Sequence, residues 1–549
     1  MIDDDNGLHD VSASVCIIGG GPHALAVLSA LHEGSLSFEQ YTNDNMFEQR
    51  VGFNSHEKIG TVCVIDPGAR FMESWNSRFE ALEIQHLRSP AFAHPVPFEA
   101  TALLNYAVKE GRTNELIDEP AVSKWLAGGG HMSQQDSQLK ALPTQALFRD
   151  FCASVETKMP HEWLSGHATA VCKDSVSGKF RVHYRASADQ RERKVVARAV
   201  ILATGPSGMW NVPAPFKSHL SSPLIIHTEE LIAKGNGTLR EEVTRRCRAE
   251  PGSTVLVVGG GLSAAQAALA AVHAGQRVVL RSRRPLTTRA FDIATEWLDA
   301  RHADRLRFEF WSLPVEKRRA ACREATSGGS VPARYMEELH RIASQDASAL
   351  KIEVDAEIEG SKVGVDDSQV IVNDEAFAMV ILATGVSPAP SGSSLYQSVQ
   401  ELLDAPTVDG LPHVDTSLRW SPEEDLFVMG IGAMLELGPG GGNLMGAMRG
   451  AKLVANELHH LMWKQNTTDG ASKARAGTPK IFANHYAALL GGESGDDSEG
   501  ASSEDEEELT TERSAVLPPS PLCSPPSKKP KASKARKHRK ATKGRRGMG

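Results

Sequence analysis

Two stretches decide how this chain folds: Val15-Cys-Ile-Ile-Gly-Gly-Gly-Pro-His-Ala24 and Val255-Leu-Val-Val-Gly-Gly-Gly-Leu-Ser-Ala264. Each ends an apolar run with a glycine turn and opens an alanine-rich stretch of helical character. In such a G-x-G-x-x-A pattern the first glycine (Gly19, Gly259) makes the tight turn and the second (Gly21, Gly261) lets backbone approach a pyrophosphate. The third small residue (Ala24, Ala264) lets the helix pack on the strand. Pro22 and Ser263 lie at the helix start, where free N–H groups and the dipole favour phosphate. One match is weak; two in one chain predict two bound dinucleotides and electron transfer between them.

Working outward, the helix after the first turn is expected over Ala24–Leu31, stopping near Gly34. A polar insertion, Ser35 to Gly60, precedes Thr61-Val-Cys-Val-Ile-Asp66, a strand ending in a carboxylate. Asp66 is the expected partner of ribose hydroxyls, although it lies beyond the usual spacing of about 20 residues. After the second turn the strand Arg277–Leu280 runs into Arg281-Ser-Arg-Arg284, where an acid would otherwise stand. Guanidinium groups at Arg281, Arg283 and Arg284 suit a 2′-phosphate, so NADPH is expected over NADH. The pentapeptide Ile-Leu-Ala-Thr-Gly occurs twice, ending at Gly205 and at Gly385, and supports two related modules. Asp425-Leu-Phe-Val-Met-Gly430 reads as a further strand, followed by the glycine-rich turn carrying Asn443 and Leu444, which suits a flavin ring edge.

With 549 residues, 41 % hydrophobic and 23 % charged, the composition is that of a soluble multidomain protein. No apolar run reaches the roughly 18 residues of a membrane span, and the start lacks a secretory signal, so a cytoplasmic enzyme body is expected. Seven scattered cysteines include no C-x-x-C pair, which excludes a dithiol-relay flavoenzyme, and no zinc spacing. The α/β class is therefore expected, with two Rossmann-like domains, a small helical substrate region and a disordered C-terminal tail. The expected boundaries are a flexible 1–12, an FAD domain over 13–215, an NADPH domain with inserted helices over 216–390, a return to the FAD domain over 391–464, and a tail over 465–549. That tail is acidic at Glu504–Glu508 and basic from Lys528 to Arg546. The basic block reads either as a solvated tail or as a nuclear-import or nucleic-acid segment, with Ser520-Pro521 and Ser524-Pro525 as phosphorylation candidates.

Beyond the turns, Ser74-Trp75, Leu82-Glu-Ile-Gln-His-Leu-Arg88, Leu103-Leu-Asn-Tyr106 and Leu142-Pro-Thr-Gln-Ala-Leu-Phe148 follow in the order seen in the ornithine and lysine N-hydroxylases. From about Ser14 to Leu461 the chain resembles that class B flavin-dependent monooxygenase family. The resemblance implies FAD reduced by NADPH, addition of O₂, and a hydroperoxyflavin that hydroxylates a primary amine. It puts Trp75 and Glu83 beside the flavin and Arg88 where the family holds the substrate carboxylate; His227-Thr-Glu-Glu230 resembles the segment before its NADPH domain. The chain departs from the family pattern at Leu262, Thr295-Glu296 and Val386. An NADPH oxidase or sulfur oxidiser on the same scaffold is the enzymatic alternative. Gly261-Leu-Ser-Ala-Ala265 and Asp425–Gly430 also resemble the oxidative-stress-induced growth inhibitors, which implies a regulatory flavoprotein instead.

Overall fold

The structure is a computed structural model describing residues 11–41, 59–118 and 140–468, apart from short stretches at 176, 207–209, 235–236, 248–251, 298–299, 327–328, 358–362, 388 and 391–392. Of the flexible start expected over 1–12, residues 1–10 lie outside the described residues and 11–12 open a strand; of the tail expected over 465–549, residues 465–468 end a helix and the rest lies outside the described residues.

Strand β1 (Val11–Ile18) is buried from Val15 onward, as a continuous apolar run in a parallel sheet should be. It feeds through the first glycine turn into helix α1 (Pro22–Tyr41). That helix runs past Gly34, because an interior glycine costs a helix only about 1 kcal/mol and does not end it. β1 pairs in parallel with β2 (Val62–Asp66), Ile18 standing opposite Ile65. After helix α2 (Glu73–Ala81) come three long strands, β3 (Glu162–Lys173), β4 (Phe180–Ala186) and β5 (Glu192–Leu202). The start of β3 pairs in parallel with β2, its remainder antiparallel with β4, and β5 turns back to lie parallel to β1 with Leu202 opposite Ile18. One sheet thus grades into a three-stranded meander.

The second unit repeats the plan. β6 (Ile225–His227), β7 (Thr254–Val258), helix α3 (Leu262–His273) and β8 (Arg277–Arg281) are followed by three helices, α4 (Ala300–Trp311), α5 (Val315–Thr326) and α6 (Ala333–Gln345). β9 (Leu350–Glu353) precedes a short meander of β10 (Val363–Val365), β11 (Val370–Val372) and β12 (Glu375–Phe377), and β13 (Met379–Leu382) closes the sheet. The five parallel strands lie in the order β9-β8-β7-β13-β6. β14 (Leu426–Val428) then returns to the first sheet with Val428 opposite Leu202, and helix α7 (Leu444–Thr468) packs on α1.

Apolar side chains fill one core beneath the first sheet and cover both faces of the second. Ala81 at the end of α2, and Leu82 and Ile84 just beyond it, belong to the second core rather than the first. The chain after α2 is therefore the seam between the halves.

Candidate functional site

The two glycine turns are geometric copies. Gly19 has φ +116°, and a Cβ there would stand 2.4 Å from the Ala203 carbonyl oxygen; Gly259 has φ +151°, and its Cβ would stand 2.4 Å from that of Ala383. The repeated Ala-Thr-Gly strands therefore press on the turns and admit only glycine. They are tied there by Ala203 N–H donating to Ile18 at 2.8 Å and Ala383 N–H to Val258 at 2.9 Å. Ala24 and Ala264 are buried where helix meets strand. Pro22 begins α1, where its missing N–H costs nothing. Beyond Gly21 the first turn is open, with nothing within 4 Å of the position a Cβ would take. At the second turn, Gly329 packs on Gly261, a Cβ on Gly329 standing 3.4 Å from the Gly261 Cα.

Asp66 and Ser282 occupy equivalent places: Cβ atoms on Gly20 and Gly260 would meet Asp66 Cγ at 2.9 Å and Ser282 Oγ at 2.5 Å. The Asp66 carboxylate accepts Gly20 N–H at 2.7 Å and Gly68 N–H at 2.8 Å, so it braces the turn it borders. Burial raises its pKa, those two bonds opposing the rise.

Arg281 is engaged by acids of its own chain. The last residue of β8, opposite Val258 in the sheet, it is buried and pairs with Glu353 at 2.7 Å and Glu375 at 3.0 Å. A phosphate would have to compete with two carboxylates for it. Arg283 and Arg284 lie past the strand end and are exposed. Ser282 donates to the Arg284 carbonyl at 2.7 Å, shaping that basic turn.

The flavin-edge segment serves the seam. Trp75 stacks on Phe79 with centroids 5.1 Å apart. Arg78 grips Glu229 with both Nη atoms at 2.5 and 2.7 Å. Glu83, at φ +51°, pairs with Arg240 at 2.6 Å. Arg88 is likewise engaged within the chain. Its guanidinium donates to the carbonyls of Arg289 (3.1 Å), Ala290 (3.2 Å), Phe291 and Ser330 (3.2 Å), and to Ser330 Oγ (2.9 Å). It clamps the loops around Arg289–Phe291 and Ser330, the latter next to Gly329.

Gly430, at φ +69°, ends the last strand against His23: a Cβ there would stand 3.4 Å from the imidazole. Burial holds the His23 pKa down to about 4, opposed by the Gly442 main chain. Asn443 caps α7 by accepting Gly446 N–H at 3.1 Å, and its amide nitrogen lies 3.4 Å from both Asp292 oxygens. Leu444 is buried. Gly205 (φ +67°) and Gly385 (φ +73°) have nothing within 4 Å of a Cβ and leave both mouths open.

Beside Gly385 lies a cluster that the sequence marked at His227 and at Thr384 of the Ala-Thr-Gly repeat. Trp210 stacks on His227, centroids 5.3 Å apart and rings 5° from parallel. His227 Nδ1 accepts Glu229 N–H at 3.2 Å, so Nε2 carries the proton toward Thr384 Oγ1 at 3.3 Å, and Thr384 donates on to the Asn211 carbonyl. Burial lowers the pKa of His227, which suits that neutral form. Trp210 had no spacing signal of its own. Among the described residues no group of three or more His, Cys, Asp or Glu can hold a metal, and no helix is long and apolar enough to cross a membrane.

Residues 126–363, spanning most of the second unit, match the family described as L-lysine 6-monooxygenase/L-ornithine 5-monooxygenase. Over that stretch the chain is similar to the lysine and ornithine monooxygenase family. Solved structures agree in fold at low identity. The FAD-bound cadaverine monooxygenase of desferrioxamine biosynthesis from Erwinia amylovora aligns at TM-score 0.57 and 15 % identity, over 82 % of this chain and 95 % of that one. The ornithine hydroxylase of Pseudomonas aeruginosa aligns at TM-score 0.58 and 16 % identity, over 82 % and 99 %. The Kutzneria sp. 744 ornithine N-hydroxylase, with reduced FAD, NADP⁺ and L-ornithine, aligns at TM-score 0.58 and 15 % identity, over 82 % and 99 %. No curated protein matches the chain.

Proposed function

We propose that the protein is an FAD- and NADPH-dependent monooxygenase that hydroxylates the primary amine of a small substrate. The observation that carries this reading is the pair of matched turns, Gly19 against Ala203 and Gly259 against Ala383, joined in one body by the seam at Arg78, Glu83 and Arg88. The residues present fit both cofactors. The open face at Gly21, the start of α1 and the strand-end Asp66 suit the FAD pyrophosphate and ribose, with Gly205, Gly430, Asn443 and Leu444 around the way to the ring. At the second turn Gly261, Ser263 and Ala264 suit the NADPH pyrophosphate, and exposed Arg283 and Arg284 suit its 2′-phosphate. Bound FAD, once reduced, supplies the activated oxygen. The chain's own part is to orient the nicotinamide past Gly385 and keep water out.

The loss of Arg88 to main-chain carbonyls favours a diamine, such as the cadaverine of the Erwinia enzyme, over a diamino acid whose carboxylate needs a partner. The test is NADPH oxidation with oxygen uptake, on protein loaded with FAD, in the presence of cadaverine, ornithine or lysine. Amine-dependent turnover that yields a hydroxylamine supports the reading, highest with cadaverine. Oxygen consumed to peroxide at one rate whatever the amine would turn it toward an oxidase.

A further inference from the structure

The outer face of the first meander holds a cluster that the cofactor chemistry does not use. In the β3–β4 register Cys172 stands opposite Arg181, and His183 two residues on is its diagonal neighbour on the same face; in β4–β5, Glu192 stands opposite Arg185 and is diagonal to His183 in turn. The alternate residues Val171 and Val182 are buried on the core face, so the pleat sends all three polar side chains outward. Cys172 Sγ lies 3.5 Å from His183 Nε2, and His183 Nδ1 lies 2.9 Å from Glu192 Oε1. With Nδ1–H donating to the carboxylate, Nε2 presents its lone pair to the thiol. Glu192 holds the far side of the ring, so the three do not converge on one point, consistent with the absence of any metal cluster among the described residues. The other described cysteines, Cys16, Cys63, Cys152, Cys247 and Cys322, are buried, whereas Cys172 is partly exposed.

We propose that Cys172 is a peroxide-reactive thiol served by His183 as its base and Glu192 as the residue that orients that base. A nucleophile, a base in hydrogen-bond reach and a third group fixing the base are what thiol activation needs. The Sγ–H proton passes to His183 Nε2, and the thiolate attacks one oxygen of hydrogen peroxide. An S–O bond forms as the O–O bond breaks, and the departing hydroxide takes the proton back from the imidazolium and leaves as water. The sulfur is oxidised by two electrons to a sulfenic acid, and the peroxide is reduced by the same two. Arg181, opposite Cys172, directs its guanidinium to Asp174, and Lys194 stands opposite His183 in the register.

The experiment exposes the full-length protein to hydrogen peroxide, traps sulfenate with dimedone and reads every cysteine-containing peptide by mass spectrometry, with glutathione as the free-thiol reference. Cys172 should be modified first and about tenfold faster than glutathione. His183→Asn, at a partly exposed position, should slow Cys172 by about tenfold, remove the inflection in its pH–rate profile and leave the thermal midpoint unchanged; Glu192→Gln should slow it by less. Modification of Cys172 no faster than glutathione, or a rate and pH profile unaltered in the His183→Asn protein, would overturn the proposal.

Discussion

Gly19 and Gly259 are the residues on which the two modules turn, and each is testable alone. Alanine at either would put a methyl 2.4 Å from a carbonyl oxygen, at φ +116° or +151°. A cost of about 2–4 kcal/mol is expected at each. Their functional effects should separate: Gly19→Ala purifies without flavin colour, while Gly259→Ala keeps FAD and loses NADPH reduction of it. Absorbance of the purified protein and anaerobic NADPH titration read the two directly. Buried histidines set the acid limit. Loss of hydration holds His23 and His94 at about 4, the main chains of Gly442 and Ala100 opposing it. The folded state keeps both neutral until pH approaches 4, whereas the unfolded chain begins to protonate them near 6.5. Folding therefore loses stability as pH falls from 6.5 towards 4, by about 2 kcal/mol per histidine at pH 5. His23→Phe, which cannot take up a proton, should flatten this acid limb by one histidine's share in urea unfolding at pH 7.5 and pH 5. An unchanged slope would mean that His23 is hydrated in the fold.

At the scale of elements, Arg88 joins the segment after α2 to the loops around Arg289–Phe291 and Ser330, which border the second turn. Arg88→Ala leaves those carbonyls without a donor and should cost about 2–4 kcal/mol of stability, measured by thermal unfolding. It should also release Gly329 from Gly261 and raise the KM for NADPH more than it lowers kcat; the opposite split would return Arg88 to substrate binding. Arg283→Ala with Arg284→Ala should raise the KM for NADPH by about tenfold or more and leave that for NADH unchanged. Elements whose evidence is local were legible in the sequence: both turns, the strands before them, the Ala-Thr-Gly strands and the run into Gly430. What depends on register was not. Arg281, Ser282, Arg283 and Arg284 are one basic run on paper, and only the opposition of Arg281 to Val258 puts the first of them inside the sheet between two acids. Glu83 and Arg88 were placed by resemblance, while their partners Arg240 and Ser330 lie far along the chain, where no spacing rule reaches.

For the whole molecule, both modules and the seam lie before Ser472. A chain truncated after Ser472 should keep its flavin and its turnover; loss of either would place residues beyond it in the catalytic body. The central claim, that this body couples NADPH and oxygen to hydroxylation of an amine, is tested most directly by one measurement. FAD-loaded protein is turned over with ¹⁸O₂ and NADPH in the presence of cadaverine, ornithine or lysine, and the amine product is weighed by mass spectrometry. The account predicts a hydroxylamine carrying one ¹⁸O atom, formed in step with NADPH consumption. Consumption of NADPH with all the label recovered in peroxide, for every amine, would contradict it.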